Sequence, residues 1–172
     1  MSRRLAPVLA LLLAGCAGHG LNTRAADSWG NTRACQSIRS AVLARDASAL
    51  TVLDVLCNGN LVVIAGALPP DYKLAVEAVH IARTTPGVSR VETFFVPRSA
   101  REASDAALAV QVKSAVAGSD GAAASATDLT VIGGTVVLVG VVHDQARADR
   151  LVASAGAVSG VRSVKSFLQV KP

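Results

Sequence analysis

Three cysteines, three histidines and twelve acidic residues carry most of the reactive chemistry in this 172-residue sequence. Their spacing decides what they can do. His19, His80 and His143 are scattered, and none has a second His or Cys at the spacing of a metal site. There is no G-x-S-x-G nucleophile turn, and neither Cys35 nor Cys57 has a convincing histidine partner. The glycines of "GSDG" (118–121) and of Gly133-Gly134 lack the following Lys-Ser/Thr of a phosphate loop, so they read as turns. The acids are dispersed, with no pair on one helix face to share a proton. The expectation is a protein without catalytic residues, metal or cofactor.

Cys35 and Cys57 have a different prospect. Cys35 lies one turn before Ile38 at the edge of an apolar helix stripe, and Cys57 ends a strand on its inward face. A helix running up and a strand running back bring the two ends together. In an oxidising compartment they form a candidate disulfide. The alternative is two buried free thiols packing as small hydrophobes.

The elements that position these residues come in two sets. "GVSRVETF" (87–94) returns as "GVRSVKSF" (160–167), and Ala75, Val79 and Ala82 return as Ala148, Val152 and Ala155. Upstream, "NLVVIAG" (60–66) matches "GTVVLVG" (134–140) with the two-residue spacing of a strand face. Earlier still, Ala34, Ile38 and Val42 match Leu108, Val112 and Val116, a helix stripe. Each half therefore reads helix, strand, strand, helix, strand, and a period this long means a duplicated unit. Asn58-Gly59 and Gly133-Gly134 suit two-residue hairpin turns. With those turns Leu53, Val55 and Cys57 share a face with Val62 and Ile64. The opposite, outward faces carry Asp54 and Thr130, as a half-buried sheet should, but also Leu56 and Val137, which do not suit solvent. "GSDGAAASAT" (118–127) reads as a flexible linker. Only 3% of the chain is aromatic although 51% is apolar, so the core must be built from small side chains. The net charge is +5 with no Lys/Arg run beyond the first residues, which argues against nucleic acid.

The N-terminus is a segment of its own. Arg3 and Arg4 precede an apolar run from Leu5 to Ala14, too short for a helix to span a bilayer. "LAGC", Leu13 to Cys16, resembles the lipobox of bacterial lipoproteins. The resemblance implies that residues 1–15 are a signal peptide and that Cys16 is the lipid attachment site. Ala rather than Asp at position 17 implies, by the same resemblance, the periplasmic face of the outer membrane. More than one acyl chain would anchor the protein stably. Residues 16–30 lack periodicity and read as a tether.

The helix stripe, "TVVLVG" with its preceding glycine, and "GVRSVKSFL" together resemble the BON domain. The resemblance covers about 31–97 and 103–170, the second unit being taken as 98–172, and is better in the second. It implies an α+β fold of two tandem αββαβ units, each a three-stranded mixed sheet on two helices. It also implies phospholipid binding in support of envelope integrity, with the second copy's first helix meeting anionic lipid. On that helix, read as 105–117, Leu108, Val112 and Val116 face inward, leaving Val110 and Lys113 as the candidate lipid-binding surface. Arg147 and Arg150 add basic charge to the same half. The alternative is an adaptor that docks an envelope protein on a sheet face or edge.

Overall fold

The computed structural model describes residues 23–69, 72–98 and 102–171. The signal segment and Cys16 lie outside them. The first half runs α1 (Thr23–Arg45), a 3-10 turn (Ala49–Thr51), β1 (Leu53–Asn58), β2 (Leu61–Leu68), α2 (Lys73–Thr84) and β3 (Arg90–Pro97). The second runs α3 (Glu102–Ser119), α4 (Gly121–Ser125), β4 (Thr127–Ile132), β5 (Thr135–Val142), α5 (Gln145–Gly156) and β6 (Ser163–Val170). Each half has a three-stranded sheet, ordered β1-β2-β3 and β4-β5-β6. The hairpin pair is antiparallel, and the third strand, reached through a helix, is parallel.

Each sheet buries one face under its own helices. In the first half Cys35, Ile38 and Val42 of α1 and Ala78 and Ala82 of α2 meet Val55, Val62 and Ile64. In the second, Leu108, Val112 and Val116 of α3 and Leu151 and Ala155 of α5 meet Val131, Val136 and Leu138. The inward positions of α2 are Ala75, Ala78 and Ala82, those of α5 Ala148, Leu151 and Ala155. Small side chains let both helices sit close to their sheets.

The other two sheet faces cover each other. Leu56, Leu61, Val63 and Ala65 pack against Ile132, Val137 and Val139 in a third core. The molecule is thus four layers deep: helices, sheet, sheet, helices. Leu56 and Val137, misfits on a solvent-facing sheet, are 3% and 0% exposed because neither face sees solvent. At the fringe of this layer Asn58 Nδ2 donates to the Ala126 carbonyl at 3.0 Å, and Thr130 Oγ1 donates to Asp54 Oδ2 at 2.6 Å.

Cys35 and Cys57 form a disulfide, with Cα atoms 6.0 Å apart and a sequence separation of 22. It staples the middle of α1 to the end of β1.

Four expectations need correction. The first hairpin turns at Gly59-Asn60, since Asn58 pairs with Leu61; Gly59 takes the positive φ of 62° while Asn58 stays in the strand and reaches Ala126. In α1 it is Cys35, at 6% exposure, rather than half-buried Ala34 that continues the inward stripe. "GSDGAAASAT" is not a slack linker but contains α4: Asp120 accepts the Ala123 N–H at 3.0 Å as N-cap, and alanines favour the helix that follows. Finally, α1 begins at Thr23, within the stretch read as tether; Arg24, Ala25 and Ala26 are good helix formers, and one glycine, Gly30, does not stop it.

Gly66 and Gly140 occupy equivalent places in β2 and β5. A Cβ on Gly140 would stand 2.7 Å from both the Ala126 carbonyl and Thr127 Oγ1, and one on Gly66 would collide with the Val52 carbonyl. The glycine matched between the two halves marks a close approach of the chain entering the first strand.

Candidate functional site

The outward face of α3 is held in place from three directions. Inward, Leu108, Val112 and Val116 lie in the core. At its start, buried Asp105 accepts the N–H groups of Gly133 at 2.7 Å and Gly134 at 2.9 Å. Both glycines have positive φ, so their amides converge into a small anion-binding nest. Along its length, Ser154 Oγ of α5 donates to the Ala115 carbonyl at 2.9 Å. What this scaffold presents is Val110, 68% exposed, and exposed Lys113.

Lys113 sits beside a shallow depression shared with Gly121, Ser125, Thr127 and Asp128. Asp128 is exposed as a residue, yet enough protein crowds its carboxylate that desolvation raises its pKa. The charges of Arg39, from the first half, and Lys113 oppose that rise. Arg39 itself donates to the Val55 carbonyl at 2.6 Å. Lys113 and Arg39 thus act on the same carboxylate, one from each half.

Arg147 and Arg150 are on α5, which packs beside α3, and both are occupied. Arg150 Nη2 donates to Asp120 Oδ2 at 3.1 Å, Arg147 lies 3.7 Å from Asp120 Oδ1, and Arg147 Nε is 3.3 Å from Asp144. The fold puts Val110 and Lys113 on one helix and the two arginines on its neighbour, where Asp120 holds them. Sequence reasoning missed Asp105 and Asp120, the acids that fix α3 and α4. The available signals were a carboxylate in the first turn of a helix and an Asp immediately before an alanine run.

The Ala123 N–H, then Arg150, holds the Asp120 carboxyl below the ordinary carboxylate range. A depressed folded pKa contributes stability that is present above the unfolded value, about 4, and lost as pH falls through the folded one. Asp120→Asn should therefore destabilise the protein near neutrality and converge on the wild type in acid. Denaturant midpoints measured from about pH 7 down to about pH 2 check this; a gap that stays constant would mean the carboxylate's charge plays no part.

Among the described residues, no group of three or more His, Cys, Asp or Glu side chains could hold a metal ion. No described helix is long and apolar enough to cross a membrane.

The half that carries α3 has known relatives. Residues 104–172 match the BON domain model. The matched stretch runs from the first turn of α3 through β6, and residues 31–97 repeat its element order. The chain is similar to Osmotically-inducible protein Y of Escherichia coli strain K12, with 29% identity over 140 residues, covering 78% of this chain and 69% of that protein. Among solved structures it is similar to the C-terminal domain of CdsD, the structural protein of the type III secretion system of Chlamydia trachomatis. That likeness has 17% identity, a TM-score of 0.32, and coverage of 83% of this chain and 67% of that one.

Proposed function

We propose that the chain is a non-enzymatic envelope lipoprotein. Cys16 anchors it to the periplasmic face of the outer membrane, and its BON domain meets anionic phospholipid through α3. The observation that carries this reading is a rigidly held helix, within the stretch matching the BON domain, that offers an exposed apolar side chain beside an exposed lysine. The Cys35–Cys57 disulfide supports an oxidising compartment such as the periplasm. Val110 can enter the headgroup boundary while the Lys113 ammonium stays with the phosphates.

Co-sedimentation of residues 17–172, without acyl chains, with phosphatidylglycerol and with phosphatidylcholine vesicles tests the reading. Binding should be confined to the anionic vesicles and lost at high salt. Lys113→Glu should weaken it about tenfold, at roughly 1 kcal/mol per basic residue near such a surface plus the new repulsion. Equal binding of the variant would remove α3 from the contact.

A second reading, docking of an envelope protein, is narrowed by the architecture. The central strands β2 and β5 are covered on both faces, which leaves the outer strands. Each sheet has two outer strands, β1 and β3 in one and β4 and β6 in the other; β3 and β6, eight residues each, are the longer and hold no buried residue. Charged side chains stand on both, the Arg90–Glu92 pair on one and Lys165 over the Phe167 ring on the other. Such charges discourage indiscriminate strand addition and leave room for a matched partner.

A further inference from the structure

The two halves differ on a surface that packing does not dictate. On α2, Lys73, Val76, His80 and Arg83 follow at steps of three and four, so they share one face, opposite buried Ala75, Ala78 and Ala82. All four are exposed, Val76 to 74%. Arg45, at the end of α1, borders a shallow groove with Val76, Glu77, His80 and Ile81. Glu77 is the one acid on α2. Among the described residues Arg45, Lys73 and Arg83 have no ion pair.

The corresponding face of α5 is unlike it. The equivalent positions hold Ala146, Asp149, Ala153 and Gly156, and the helix's two arginines are tied to Asp120. Both helices bury the same inward pattern, so either outward set is compatible with the fold. The cations of α2 are thus surplus to folding.

We propose that this face of α2, together with Arg45, is a second contact with an anionic lipid surface; it lies in the helix layer opposite the one that holds α3, so the two faces meet separate bilayers. The proposal rests on the membrane reading above. Three cations without ion pairs, on long stems, share this surface with a strongly exposed valine. A protein hot spot calls for an aromatic or arginine anchor seated in a desolvated pocket. Mobile cations around a small apolar side chain suit a diffuse layer of lipid phosphates instead.

The test uses residues 17–172, which retain every described residue, with phosphatidylglycerol vesicles and phosphatidylcholine as the neutral arm. Two opposed faces let one molecule bridge two vesicles, so clustering is read as turbidity beside co-sedimentation. Lys73→Gln with Arg83→Gln removes two charges from the face. Lys165→Gln with Lys171→Gln lowers net charge equally on β6 and just past it. The first pair should raise the protein concentration needed for clustering about thirtyfold, from about 1 kcal/mol per cation, and the second much less. Both should leave the thermal midpoint near the wild type, because all four residues are exposed. Equal losses of clustering from the two pairs would reduce the effect to net charge and overturn the proposal. No clustering by a wild type that still binds, or unchanged clustering by the Lys73/Arg83 variant, would overturn it while leaving α3 and the membrane reading in place. Failure of the wild type to bind anionic vesicles would overturn both.

Discussion

Val137→Asp is expected to lower stability by about 4 kcal/mol, whereas Val110→Asp, the same chemical change, should be close to neutral. Val137 is fully buried between the two sheets and Val110 is 68% exposed. The change forfeits the burial of a valine, about 1.5–3 kcal/mol, and leaves a carboxyl in the layer with Leu56, Val63 and Val139, costing about 2 kcal/mol or more. A domain with a total of roughly 5–15 kcal/mol has little to spare after that. Neither helix-side core is touched, so the loss belongs to the contact between the halves. Denaturant titration followed by circular dichroism measures it. Coincident midpoints for the two variants would show that the sheets do not depend on each other.

The second large effect is confined to the first half. Opening the Cys35–Cys57 link, by reductant or by Cys35→Ala with Cys57→Ala, should cost about 3 kcal/mol, the loop-closure entropy of a 22-residue separation. Ile38, Val42, Val55 and Val62 pack in the same core but are mostly small, so the link is a large share of what holds α1 to β1. The chain beginning at Ala17 is the one to use, because it lacks Cys16. Matching midpoints with and without reductant would contradict the assignment.

Much of this architecture is legible in the sequence because the chain states it twice. Spacings of four at Ile38/Val42 and at Leu108/Val112/Val116, and of two at Val62/Ile64 and Val136/Leu138, mark helix and strand faces that the structure buries. What the pattern cannot show is which elements face one another. Leu56 and Val137 stand out as apolar residues on faces expected to be polar, and only the packing of one sheet on the other gives them a reason. α4 escaped because a run of alanines looks like a linker until Asp120 caps it and Ala123 is buried. The candidate surface was legible in part. Exposure at Val110 and Lys113 follows from helical periodicity, but the capture of Arg147 and Arg150 by Asp120 depends on residues about thirty positions apart.

The shared layer between the sheets also sets a timetable. Synthesis runs from the N-terminus, so β1 and β2 are complete well before Val137 and Val139 exist. For that interval Leu56, Leu61 and Val63 form an apolar, strand-rich face with nothing against it. A first half without β5 therefore keeps that apolar face bare, and a truncation before Val142 is expected to give a sticky product rather than a smaller working protein.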